Sequence, residues 1–239
     1  FPIHENKTID FSETQGNLRL LAGNVMASGK VLYKGHAVAA VVATDQHTAE
    51  EALDLIEVQY EKLEPVLDVR KAMENGAPLL HNDLTTNFRV ERFGKGEDTG
   101  VKSNIAGHIQ FKRGDIEKGF KEADVIVERE FTTQPVHQGY IEPHTSTAEW
   151  TPEGRLTIWT STQGSFMMRD QTAGILGIAQ SMINVIPMEI GGGFGGKTIT
   201  YLDPVVAILS KRTGKPVKIT MTRKEVFEGT GPTSGTYMR

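Results

Sequence analysis

The stretch "GGGFGGKT", Gly191–Thr198, places five glycines in six positions. A glycine inside a helix or strand costs roughly 0.5–1 kcal/mol relative to alanine. Such density therefore marks a loop in which the backbone approaches something closely or adopts unusual dihedrals. As a string it satisfies the phosphate-loop pattern GxxxxGK[ST], with Lys197 and Thr198 in the last two places. A hydrolase phosphate loop needs a helix that starts at that Lys-Ser/Thr pair, so that its N-terminus faces the phosphates. Pro204 lies seven positions after Lys197, and inside such a helix it would remove a hydrogen bond and clash with the preceding turn, at about 3 kcal/mol. Pro204 suits the first turn of a later helix, with Asp203 as its cap. No later strand ends in a magnesium-binding Asp, because "VKITM" runs on into Thr222 and Arg223. A nucleotide hydrolase is thus disfavoured. The loop is either a flexible turn or a cradle whose amides bind an oxyanion, and the bulky Phe194 in its middle argues against mere flexibility. Lys197 is open between a phosphate partner and a solvated loop lysine.

The flanking elements sharpen this. In "RLTIWTSTQ" Leu156, Ile158 and Thr160 share one strand face, and Gln163 ends the strand. A helix is expected from about Ser165 to Leu176, stopped by Gly177. "INVIP" then reads as a strand leading to the glycine cluster, followed by a helix over Leu202–Arg212 that stops before Gly214 and Pro216, and a strand in "PVKITM". Thr222 and Glu225 have capping-box spacing. Consecutive strand ends in one α/β layer put their loops at one crevice, where ligands bind. Gln163 therefore gains weight as a ligand contact beside the glycine loop.

Upstream, residues 1–23 read as an irregular lead-in. "VLYKGHAVAAVVATD" suggests a short strand, a turn at Gly35 and a buried strand over Ala37–Ala43. Thr48 and Glu51 have capping-box spacing, and Ala49, Ala52, Leu53 and Ile56 form one helical face; "EVQYE" alternates as a further strand stopped before Pro65. Residues 81–108, rich in Asn, Gly, Thr and charge, read as a linker. Near Ile109 a second domain begins, with Asp115 capping a helix through Glu122 and a strand in "DVIVEREFTT". The fold class is α+β or mixed α/β.

Composition excludes several functions. With 26 basic and 30 acidic residues scattered along 239, no electrostatic footprint for nucleic acid exists. No run approaches the roughly 18 apolar residues of a membrane span, and no secretory leader is visible. Cys is absent, which removes disulfides, thiolate zinc sites, cysteine nucleophiles and iron–sulfur ligation within these residues and fits a cytoplasmic origin. The first residue is Phe1, which suggests a truncated or processed chain. His137, Glu142 and His144 are a possible metal cluster, but Pro143 and the irregular setting give them no common helical face, so metal ligands are expected to be none. Arg223 and Glu225 read as a charge pair at a helix start.

Three stretches carry a family resemblance. "VLYKGHAVAAVVATDQHTAEEALDLIEVQYEKLEPVLD" resembles the α/β hammerhead domain of the molybdenum hydroxylases, the xanthine dehydrogenase and aldehyde oxidase family. "GYIEPHTSTAEW" resembles the opening of that family's cofactor domain, and "TSTQGSF" through "IGGGFGGK" to "TMTRKEVF" resembles its first molybdopterin-binding domain. The resemblance implies an incomplete hammerhead domain and linker over 1–108, followed by a truncated cofactor domain over 109–239. It implies a molybdenum–molybdopterin cofactor held by Gln163 beside an oxo ligand and by the backbone of Gly193, Phe194 and Gly195. It also implies that Glu142 and Pro143 belong to a structural turn near the active site. It further implies hydroxylation of an aldehyde or N-heteroaromatic with oxygen from water, and electron transfer to iron–sulfur and FAD partner subunits or domains. The family's general-base Glu comes from late sequence with no counterpart here, so no catalytic residue is assigned. Xanthine-type members carry Glu where this chain has Thr198, which disfavours xanthine; copper-containing carbon monoxide dehydrogenases need a Cys that is absent. The alternative is a non-catalytic domain of the same fold that binds partner subunits.

Overall fold

The computed structural model describes residues 1–2, 4, 8–11, 14–90, 96–231 and 233–239. In chain order the elements are β1 (Thr8–Phe11), β2 (Thr14–Asn17), α1 (Leu18–Val25), α2 (Gln46–Asp54), α3 (Val69–Ala72), β3 (Thr85–Arg89), β4 (Glu97–Lys102), β5 (Gly107–Ile109) and α4 (Ile116–Glu122). They continue with β6 (Phe131–Thr133), β7 (Thr145–Trp150), β8 (Leu156–Thr160), α5 (Ser165–Leu176), β9 (Ile183–Pro187), α6 (Asp203–Thr213), β10 (Val217–Thr220), α7 (Arg223–Gly229) and β11 (Thr236–Met238). Two compact units result: residues 1–59 with 136–233, and residues 60–135 with 234–239.

The first unit is a two-layer α/β structure. Its sheet has the order β10-β7-β8-β9, antiparallel except for the parallel pair β8–β9. Parallel neighbours need a crossover, and α5 supplies it. The alternation in β8 buries Leu156, Ile158 and Thr160 on one face. There Ala148, Ala173, Ile183, Val206, Ala207 and Val217 complete the core, and the Trp150 indole donates to the Ala207 carbonyl on α6 at 2.8 Å. α5 ends at Gly177 in the left-handed region, φ 68°, where a Cβ would be strained. α6 starts at Asp203 with Pro204 in its first turn, and Thr222 and Glu225 form the expected capping box on α7.

Four local expectations are corrected in this unit. Among its described residues the lead-in forms regular elements: β1 and β2 make an antiparallel pair, and Asn17 caps α1 by accepting from the Leu20 N–H. Ala22 and Val25 then reach a second apolar cluster with Ile175 and Val205. Eight residues carry too few turns for their periodicity to stand out. The cap of α2 is Asp45, whose carboxylate accepts from the Thr48 N–H, in place of a Thr48 cap, and α2 has no buried residue. Residues 37–43 and 57–61, of which 60 and 61 fall in the second unit, form no strand; a strand requires ladder partners, and none of the described strands pairs with them. Val42 and Ala40 nonetheless pack against the two apolar clusters. Asp203 is the first residue of α6 with Leu202 at the cap position, and its buried carboxylate accepts from Ser146 (2.9 Å) and Thr200 (2.7 Å).

In the second unit, residues expected as a linker build a three-stranded sheet of order β4-β3-β5; residues 91–95 of that expectation lie outside the described ones. β4 and β5 are exposed throughout, so no apolar alternation announced them. Asn104 ties this region together, accepting from the Leu80 N–H and donating to the Ala72 and Pro78 carbonyls. Asp115 caps α4 as expected. Of "DVIVEREFTT" only β6 pairs, with β11; Val125, Ile126 and Val127 are exposed, as are Phe111, Phe120 and Phe131.

Candidate functional site

The loops that follow β8 and β9 emerge at one edge of the sheet because those strands are parallel neighbours joined by α5. They interlock. The Gln163 Oε1 accepts from the N–H of Gly195 (2.9 Å) and of Lys197 (3.2 Å). Two N–H donors facing one atom identify it as the amide oxygen, so the Gln163 Nε2 is left as donor. The Gln163 N–H and the Thr162 hydroxyl both donate to the Lys197 carbonyl, at 3.0 and 3.2 Å. Downstream, Gln171 on α5 accepts from the Thr200 N–H and donates to the Thr198 carbonyl. The Thr198 hydroxyl closes back on the Gly195 carbonyl at 2.9 Å.

Contacts explain the glycines. A Cβ at Gly191 would stand 2.7 Å from the Glu142 Cβ, one at Gly193 2.5 Å from the Gln163 Oε1, and one at Gly196 2.8 Å from the buried Tyr140 ring. Gly192 and Gly195 instead have φ of 94° and 87°, a region that side chains rarely enter. Phe194 also lies there, at φ 49°, and the residue is 74% exposed. A non-glycine residue in that region costs of order 1–3 kcal/mol and persists where surrounding bonds over-determine it. Among the described residues the N–H groups of Gly192, Gly193 and Phe194 meet no hydrogen-bond acceptor.

Lys197 is neither a phosphate partner nor a solvated lysine. Its side chain is 0% exposed and pairs with Glu142 at 2.7 Å, 5.0 Å from the centre of the Tyr140 ring. The same Glu142 oxygen accepts from the Gly191 N–H at 2.7 Å. With α6 beginning six residues after Lys197, the phosphate-loop reading fails on both counts. His137, Glu142 and His144 diverge as well. His137 meets the Val226 carbonyl and the Thr230 hydroxyl at 3.0 Å each, and the His144 Nε2 meets the Tyr140 hydroxyl at 2.7 Å. Burial, with the Lys197 charge second, pushes His144 down to about 4, so it is neutral at pH 7; burial raises the Tyr140 phenol. Arg223 does not pair with Glu225: its guanidinium donates to the Tyr140 carbonyl (2.8 Å) and to that of Ile141. Tyr140, Glu142 and Arg223 thus brace the loop, and nothing local to their sequence announced the roles of Tyr140 and Arg223.

A βαβ crevice whose loop leaves the Gly192, Gly193 and Phe194 amides and the Gln163 Nε2 without protein acceptors among the described residues defines the class: an α/β domain with hydrogen-bond donors gathered at its strand ends, where ligands of such folds bind. Comparison with known proteins specifies it. The family model "Molybdopterin cofactor-binding domain" matches residues 98–239, and "Aldehyde oxidase and xanthine dehydrogenase, a/b hammerhead domain" matches residues 4–64. The chain belongs to the xanthine dehydrogenase and aldehyde oxidase family of molybdenum hydroxylases. It is similar to a probable hypoxanthine oxidase of Escherichia coli K12, at 35% identity over 220 residues, covering 84% of this chain and 23% of that protein. It is similar also to the nicotinate dehydrogenase large molybdopterin subunit of Eubacterium barkeri, at 32% over 200 residues, covering 84% and 43%. Among solved structures, carbon monoxide dehydrogenase from Oligotropha carboxidovorans superposes with a TM-score of 0.71 at 33% identity, covering 87% of this chain and 26% of that one. The chain therefore spans less than half the length of these relatives. Among the described residues no helix is long and apolar enough to cross a membrane.

Proposed function

We propose that the 239 residues serve a molybdenum-dependent hydroxylase acting on an aldehyde or N-heteroaromatic, with the hammerhead domain over 1–108 and the cofactor domain over 109–239. The observation that carries this reading is the interlock of Gln163 with the glycine loop. It leaves the Gln163 Nε2, the Gly193 and Phe194 amides, and open space before Gly195, where an added Cβ would meet nothing within 4 Å. That donor set fits a group rich in oxo and pyran oxygens. In this reading Gln163, Gly193, Phe194 and Gly195 hold the molybdenum–molybdopterin. The bound group supplies the redox centre at which an electron-poor C–H carbon gains oxygen from water. The chain's own part is to donate hydrogen bonds where negative charge grows, from groups already fixed in place.

Electrons leave to iron–sulfur and FAD centres on partner subunits or domains, which suits a chain without Cys. The exposed apolar side chains of residues 120–131 support burial against further protein, and a cytoplasmic location accords with the same composition. The hydroxyl of Thr198 is engaged by Gly195, which supports a substrate other than xanthine.

The test is Gln163→Ala in the full-length gene product from a cofactor-supplying host, with molybdenum measured by mass spectrometry and turnover by an aldehyde and N-heteroaromatic panel. Loss of one positioned donor predicts a drop of about 10²–10³ in turnover per molybdenum. Unchanged turnover per molybdenum removes Gln163 from the site, and wild-type protein free of molybdenum removes the reading altogether.

A further inference from the structure

We infer that Glu142 and Lys197 are positioning residues that hold the glycine loop in its ligand-ready shape, an inference that rests on the cofactor reading above. One carboxylate oxygen of Glu142 takes both ends of the loop: the Gly191 N–H at its entry and the Lys197 ammonium at its exit, each at 2.7 Å. The backbone doubles the entry contact, the Glu142 N–H donating to the Gly191 carbonyl at 3.2 Å. Between these ends lie the residues whose amides are free.

Stability alone does not call for an ion pair here. The Lys197 side chain is fully buried and that of Glu142 is 30% exposed, and a largely desolvated pair exchanged for apolar side chains of similar volume is often neutral in stability, because removing charge from water offsets the attraction. What an apolar pair lacks is an acceptor for Gly191. Tyr140 fixes the geometry from below: its ring leaves no room for a Cβ at Gly196, and its carbonyl is held by Arg223. The segment carrying Glu142 is thereby rigid, and the loop inherits that rigidity through one oxygen. The strained φ of Phe194 is what such an anchor has to maintain.

Two double variants of the full-length protein separate positioning from packing: Glu142→Leu with Lys197→Met, and Glu142→Gln with Lys197→Met, whose amide oxygen still accepts from Gly191. Three readouts are taken: thermal melting, hydrogen–deuterium exchange of the peptide over residues 188–200, and molybdenum per chain. For the Leu/Met variant, near-wild-type melting is expected, with exchange about tenfold faster in that peptide as the loop opens locally and molybdenum reduced. The Gln/Met variant is expected to recover most of both losses. Wild-type exchange in the Leu/Met variant overturns the anchoring, and a fast-exchanging loop that retains full molybdenum overturns the claim that the anchored shape is the ligand-ready one. Should wild-type protein hold no molybdenum, the cofactor reading falls, while the exchange comparison still decides whether the pair holds the loop.

Discussion

Replacing Gly193 and Gly196 by alanine, one at a time, distinguishes a loop shaped for a ligand from one shaped for its own packing. Neither glycine has a positive φ, so alanine brings no backbone strain, and its smaller unfolded-state entropy favours folding by about 0.4–1 kcal/mol. The two sites differ in what the new methyl meets. At Gly193 it lands 2.5 Å from the Gln163 Oε1, the tip of an exposed side chain that can swing away. The loss is then two acceptor bonds, to Gly195 and Lys197, at about 0.5–1.5 kcal/mol each, with water replacing the exposed one. Net destabilisation is on the order of 1 kcal/mol or less. At Gly196 the methyl lands 2.8 Å from the buried Tyr140 ring and 3.1 Å from the Gly193 carbonyl. That ring is packed and hydrogen-bonded to Thr230 at 3.0 Å, so overpacking costs about 1–3 kcal/mol. Thermal melting should therefore fall more for Gly196→Ala, at about 2–4 °C per kcal/mol for a chain of this size. Molybdenum content of the full-length protein should fall in both variants, although Gly193→Ala barely lowers melting. A Gly193→Ala protein that melts near wild type and keeps full molybdenum would refute the assignment of Gln163 and its loop as a ligand site.

Two further outcomes are expected. His144 titrates near 4 in the fold against an ordinary 6.5, so its contribution is fully present above pH 6.5 and is lost as pH falls towards 4, amounting to about 3 kcal/mol; denaturant unfolding between pH 7 and 4 should show a shallower pH dependence for His144→Gln, and equal slopes would exclude His144 as the source. Phe194→Gly removes a side chain from φ 49° at a residue that is 74% exposed, so melting should stay level or rise by the equivalent of about 1 kcal/mol, and molybdenum per chain should hold because the backbone amide remains; a marked drop in melting would show that the ring packs.

Elements with strong local signals were legible before any tertiary information. The alternation of Leu156, Ile158 and Thr160, the helix from Ser165 with its Gly177 stop, and the Thr222–Glu225 capping box all form as read. Each is stabilised mainly within its own segment, so neighbouring residues carry the information. The segments at 37–43 and 57–61 carry β-type patterns but form no strand for the opposite reason: such a pattern needs a partner strand, and pairing is not a local property. β4 carries no local signal because it is exposed on both faces, so hydrogen bonding builds it without any apolar alternation.

At the site, the sequence by itself determined that Gly191–Gly196 cannot be a regular element, that Pro204 bars a helix starting at Lys197, and that Gln163 and the glycines follow consecutive strands of one layer. Those conclusions rest on backbone sterics and strand order, which act over a few residues. Only the tertiary structure decided where Lys197 points, which amides stay free and what each glycine makes room for. Glu142 lies 55 residues from Lys197 and Arg223 lies 83 from Tyr140, and a contact across such separations exists only once the sheet has brought the segments together. A buried charge takes whichever partner the fold delivers, and for Lys197 that partner is Glu142.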